Sequence, residues 1–116
     1  MSQPKATMMA RKVSNQAAVI DIKGEVTAAA ENALMDAYAQ ANNWGARTII
    51  LNFEHLDYMN SSGIGLLVTL LIRVQRQNQK LLACGLSEHY QQIFELTRLN
   101  EAITICPTEV AALAEI

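Results

Sequence analysis

Residues 48–71 read TIILNFEHLDYMNSSGIGLLVTLL, and the fold turns on them. Thr48-Ile49-Ile50-Leu51-Asn52-Phe53 is the strongest strand signal in the chain. Its apolar residues follow one another without alternating with polar ones, as in a strand covered by helices on both faces of a sheet. From Gly63 to Ile72 the only polar side chain is Thr69, and Arg73, Gln75, Arg76 and Gln77 close the run. A membrane-spanning helix needs about 20 such residues, so a buried helix over 63–78 is expected instead. The polar segment 54–60 between them reads as a loop leaving the carboxyl end of the strand. In open α/β sheets, ligand and partner sites form at that edge.

Working outward, Ala17-Ala18-Val19-Ile20-Asp21-Ile22-Lys23 is a second strand, closed by Gly24. Met8 to Ser14 is a weaker strand, with Asn15-Gln16 as the turn of a hairpin, and polar residues 1–7 are expected to fray. Thr27 is placed to cap a helix over 28–41, in which Ala30, Leu34, Ala37, Tyr38 and Ala41 share one face. Asn42-Asn43-Trp44-Gly45 ends that helix. Lys80 to Cys84 is a short buried strand ended by Gly85. Ser87 caps a helix from Glu88 to Thr97, with Tyr90, Ile93, Phe94 and Leu96 or Thr97 turned inward. Ile103-Thr104-Ile105 is a last strand, broken by Pro107. Thr108 then caps a terminal helix with Val110, Leu113 and Ala114 on one side, and Glu109 suits the positive end of its dipole. Two strands followed by alternating helices and strands imply parallel neighbours with helical crossovers. The expected fold is α/β, one domain over 1–116: a small mixed sheet with an N-terminal hairpin, about five strands and four helices.

The chain of 116 residues is half apolar, enough for a core without disulfides or metals. A net charge of −2 gives no general attraction to nucleic acid or anionic lipid. No signal peptide or membrane insertion is expected, which points to the cytoplasm. Cys84 and Cys106 lack metal-site spacing and read as free, buried thiols. His55 and His89 are isolated from metal-ligand partners and read as loop or surface residues. No phosphate-binding glycine loop, dinucleotide fingerprint or GxSxG elbow is present. No cofactor, metal or small-molecule substrate is therefore expected. A hydrolase built on Ser61 or Ser62 lacks a positioned base.

The junction Asn60-Ser61-Ser62-Gly63 carries the remaining chemistry. Asn60, Ser61 or Ser62 can cap the helix, its side-chain oxygen accepting from a first-turn amide. Glycines at 63 and 65 leave that turn open to close approach. A phosphate on a serine there would meet unpaired amides and the positive end of the helix dipole. Its charge of about −1.5 to −2 is compatible with the fold and repels a docked partner. Glu54 and Asp57 nearby sharpen that repulsion.

The whole arrangement resembles the STAS domain, and within it the single-domain anti-sigma factor antagonists of bacteria. The residues that carry the resemblance are VIDIKGEVTAAAENAL (19–34), TIILNFEHLDYMNSSGIGLLVTLL (48–71) and KLLACGLSEHYQQIFELTRLNEAITI (80–105). The resemblance implies a STAS-like sheet with one layer of helices, and no enzymatic activity. It implies a partner, an anti-sigma factor that is also a serine kinase. The unphosphorylated chain would bind that partner and free a sigma factor, phosphate on Ser61 would end binding, and a serine phosphatase would reset the switch. Carried over by position, the partner-binding residues are Glu54, Asp57, Tyr58, Asn60, Ser61, Ser62, Gly63 and Gly65. Asn60 departs from the family, which frequently has aspartate there. The alternative is a STAS scaffold or subunit of a lipid-transport or stress-signalling complex without a phosphoswitch.

Overall fold

The computed structural model describes residues 6–116, in which one sheet is ordered β1-β2-β3-β4-β5. Its strands are β1 (Ala6–Lys12), β2 (Ala17–Val26), β3 (Thr48–Met59), β4 (Lys80–Cys84) and β5 (Thr104–Cys106). The helices are α1 (Glu31–Asn43), α2 (Ser61–Arg76), α3 (Glu88–Leu96) and α4 (Glu109–Leu113), with single 3₁₀ turns at Ala28–Ala30 and Leu99–Glu101. β1 pairs antiparallel with β2 as the expected hairpin. All later neighbours are parallel and joined by helical crossovers. The hairpin begins earlier than its sequence suggests. Ala6 and Thr7, read as frayed, already pair with Gly24 and Lys23, while the rest of that segment, 1–5, lies outside the described residues.

The two-sided burial expected of β3 is found. Ile49, Leu51 and Phe53 face the main core, built with α1, α2 and α3. Ile50 faces the other way, into a small cluster with Val19, Leu82, Cys84, Cys106 and Ala112 of α4. The single helical layer implied by the resemblance is thus joined by a short helix on the opposite face. Phe53 and Phe94 meet edge to face with centroids 6.3 Å apart, a preferred aromatic geometry.

The segment 54–60, expected to be a loop, is mostly strand. β3 runs on to Met59 because β2 also continues past Gly24 to Val26 and offers it backbone partners. Lys23 lies opposite His55, Gly24 opposite Leu56, Glu25 opposite Tyr58 and Val26 opposite Met59, with register shifts between them. Gly24 supports this extension with φ 88°, a conformation that costs glycine little.

The inward face of α1 is the expected one, with Leu34, Ala37, Tyr38 and Ala41 buried and Ala30 buried in the preceding 3₁₀ turn. Two other faces differ. In α3, Tyr90 and Phe94 are buried, but Leu96 is 84% exposed and Thr97 is exposed. Leu96 falls off the 90–94 line by helical rotation. Thr97 ends the helix by donating its hydroxyl back to the Ile93 carbonyl at 2.7 Å. Arg98 then adopts φ 62°, and the chain's next core contact is Leu99. In α4, Val110 and Ala114 are exposed and Ala112 is the buried residue, with Ala111 and Leu113 packed beside it. A helix this short exposes most of its sides, and only the turn over Ile50 and Cys106 is covered.

Gln79 ties the far ends of α1 and α2 together. It accepts from the Tyr38 hydroxyl at 2.8 Å and donates to the Ala46 carbonyl at 2.8 Å and to Asn42 Oδ1 at 2.6 Å. Every polar side-chain atom of the described residues that is buried has a hydrogen-bond partner.

Candidate functional site

α2 begins one residue after β3 ends, and Asn60 makes the transition. Its backbone is extended, at φ −94° and ψ −176°, and its Oδ1 accepts from the Gly63 N–H at 2.9 Å. The Asn60 N–H donates to the Val26 carbonyl at 3.3 Å, and its own carbonyl accepts from Ile64 at 3.0 Å. Of the three candidate caps, asparagine performs the role. Ser61 and Ser62 are the first two helical residues, both exposed, and neither hydroxyl forms a hydrogen bond among the described residues.

Gly63 is required by space. A Cβ on it would lie 2.3 Å from the Val26 carbonyl oxygen and 2.8 Å from Met59 Cγ. Gly65 is different: it is exposed, and nothing lies within 4 Å of where its Cβ would stand. From this turn α2 presents a partly exposed apolar line, Ile64, Val68 and Ile72, spaced four residues apart.

The residues expected at the site divide into two groups. Asn60 and Ser61 border a recess of about 260 Å³ whose other walls are Met59, Ile64, Ile93 and Thr97. Glu54 and Asp57 instead border a more open recess toward the hairpin, with Lys23, Gly24 and His55. Tyr58 is half exposed and sits opposite Glu25 on β2. Sequence reasoning missed the contribution of α3. Tyr90 is inward, as expected, and its hydroxyl also accepts from the Met59 N–H at 2.8 Å, which anchors the end of β3. Ile93 and Thr97 wall the recess beside Ser61.

A polar cluster lies on the α4 face. Arg11 donates to Asp21 Oδ1 at 3.0 Å and to Glu109 Oε1 at 2.6 Å, and Asn52 donates to the same Glu109 oxygen at 3.3 Å. These bonds, first to Asp21 and then to Glu109, raise the Arg11 pKa and keep its guanidinium charged. Next to this cluster, burial and then the charge of Glu109 push the Cys84 thiol up to about 11. Burial raises Cys106 as well. Both thiols are free and buried, as the sequence suggested, and suited to packing more than to reaction.

The model of one family, described as STAS domain, matches residues 8–112. The anti-sigma-B factor antagonist of Staphylococcus aureus is 33% identical over 61 residues. That match covers 53% of this chain and 56% of the relative, so it spans little more than half the length of that protein. Among solved structures, the anti-sigma factor antagonist SpoIIAA in its unphosphorylated form superposes with a TM-score of 0.76 at 24% identity, covering 94% of this chain and 95% of that one. The phosphorylated form of this Bacillus cell fate determinant superposes with 0.73 at 24% identity, over 94% and 98%. An anti-sigma factor antagonist from Mycobacterium paratuberculosis gives 0.81 at 16% identity, over 100% and 98%. At these identities the structural likenesses establish the fold.

Proposed function

The chain belongs to the STAS domain family, and from that premise we propose that it is an anti-sigma factor antagonist switched by phosphorylation at Ser61. The unphosphorylated form binds an anti-sigma factor that is also a serine kinase, and so frees a sigma factor. Phosphate on Ser61 ends the binding, and a serine phosphatase restores it. The chain itself catalyses nothing in this cycle. Its two free, buried cysteines suit a reducing compartment such as the cytoplasm.

One observation carries the reading: Ser61 opens α2 with an exposed hydroxyl that the fold does not use. Asn60 makes the cap bond instead, so modifying Ser61 breaks no hydrogen bond of the structure. A phosphate there sits at the positive end of α2, where about half an elementary charge and unpaired amides favour it. The partner surface comprises Asn60, Ser61, Ser62 and Gly65 with the exposed side of α2, flanked by Glu54, Asp57 and Tyr58, while the expected contact Gly63 is buried beneath it and shapes the turn. An added charge of about −2 repels a partner that fits the neutral surface. The kinship with the Staphylococcus aureus antagonist supports this assignment.

The test is incubation with ATP and the kinase of the same genome, followed by phosphopeptide mapping. Phosphate is expected on Ser61 and absent in Ser61→Ala. Undiminished labelling of that variant would overturn the assignment. Ser61→Asp is expected to weaken kinase binding with a melting temperature equal to or slightly above that of the wild type.

A further inference from the structure

A second charged surface lies at the end of the molecule away from Ser61. β3 alone, with twelve residues, spans about 40 Å at roughly 3.3 Å per residue. That matches the longest dimension of the molecule, 39 Å. At the end where the parallel strands begin, Arg47 precedes β3 and Lys80 opens β4, and the Lys80 N–H donates to the Arg47 carbonyl at 2.9 Å. The last turn of α2 brings Arg73 and Arg76 to the same end, where they border a recess of about 390 Å³ with Tyr38 and Asn42. All four cations are exposed, and among the described residues none is in an ion pair. Arg47 reaches only the Asn78 carbonyl, at 3.5 Å. Glu115 borders the neighbouring recess with Lys80.

Helix dipoles do not account for this charge. The carboxyl ends of α1 and α2 each contribute about −0.5, against four full positive charges. The opposite end is acidic: Glu25, Glu54 and Asp57 lie on the β2–β3 extension and Glu31 opens α1, against Lys23. At physiological salt the screening length is about 8 Å, so poles this far apart act separately. A net charge of −2 disfavours nucleic acid and anionic lipid as the match for the basic pole. The complementary surface present in the molecule is its own acidic end.

We propose that the chain associates with itself head to tail, the Arg47, Arg73, Arg76 and Lys80 surface of one copy receiving the Glu54 and Asp57 surface of the next. Arginine forks suit carboxylates, which they bind through paired hydrogen bonds. The contact is heterologous, so each pair leaves one basic and one acidic end open to further copies. It also covers the Ser61 end of every copy but the last, so self-association and partner binding compete. The proposal does not depend on phosphorylation of Ser61.

Sedimentation of the purified chain tests it. Mass above the monomer is expected at about 0.01 M salt and only monomer at about 1 M, as the screening length falls from about 30 Å to about 3 Å. Arg73→Gln/Arg76→Gln keeps the acidic end and Glu54→Gln/Asp57→Asn keeps the basic end. Each variant alone is expected to be monomeric at low salt, and their mixture to give a dimer that does not grow. Circular dichroism melts confirm that both are folded. A wild-type monomer at low salt, association unchanged by either pair of substitutions, or a mixture without dimer would overturn the proposal. So would capture of the wild type by anionic vesicles or duplex DNA in place of self-association.

Discussion

The backbone N–H of Met59 donates to the hydroxyl of Tyr90 at 2.8 Å, a buried bond across 31 residues of sequence. It joins the end of β3 to α3 one residue before the α2 cap. Tyr90→Phe keeps the ring in the core but leaves that N–H without an acceptor. A buried donor stranded in this way costs about 1–3 kcal/mol. Urea denaturation should show a lower midpoint with an unchanged slope.

Asn60 gives a cap-specific prediction. Asn60→Ala removes the Oδ1 acceptor of the Gly63 N–H and should cost about 1 kcal/mol. Asn60→Asp keeps an acceptor there and adds a negative charge at the positive end of α2. It should match or exceed the wild type by about 0.3–1 kcal/mol at low ionic strength, with the gain shrinking in salt. Thermal melts of the two variants at low and high salt separate the hydrogen bond from the charge.

The two glycines of the same turn should respond with opposite signs. Gly63→Ala drives a methyl into the Val26 carbonyl and should destabilise by about 1–3 kcal/mol. Gly65→Ala meets open space inside a helix and should stabilise by up to about 1 kcal/mol. Chemical denaturation of the pair checks both. Equal effects would contradict the crowding at Gly63.

Alkaline pH should expose the buried thiols. Cys84 rises from its ordinary value of 9.0 to about 11 in the folded chain, chiefly through burial. Above pH 9 the unfolded chain therefore holds fewer protons than the folded one, and stability falls as pH rises toward about 11. Below 9 the group contributes no slope. Cys84→Ala should flatten the decline, measured as unfolding midpoints from pH 8 to 11.

The core was readable from sequence because burial follows period. The line from Ala30 to Ala41 matches 3.6 residues per turn, and the unbroken run from Ile49 to Phe53 matches a strand covered twice. The length of β3 was not readable. Glu54 to Tyr58 carry polar side chains, and what makes them a strand is the overrun of β2 beyond Gly24, a pairing between distant segments. Leu96 and Val110 misled for another reason: short helices have few turns in which a face can be averaged, so one residue's rotation decides its exposure. At the site, the junction Asn60 to Gly63 was legible as a helix start, but the sequence treated Gly63 and Gly65 alike, and only the first is crowded. The choice of Asn60 as the cap, and the wall that α3 adds, depended on distances no spacing encodes.

Three attachments hold the start of α2. Val26 receives the Asn60 N–H, the same carbonyl leaves no room beyond Gly63, and Tyr90 holds Met59. A turn pinned on three sides has little freedom to change shape when its first residue is modified. Under the proposed switch, a phosphate on Ser61 would therefore act as a mark on a fixed surface, read by whatever docks there, with no movement for the fold to relay.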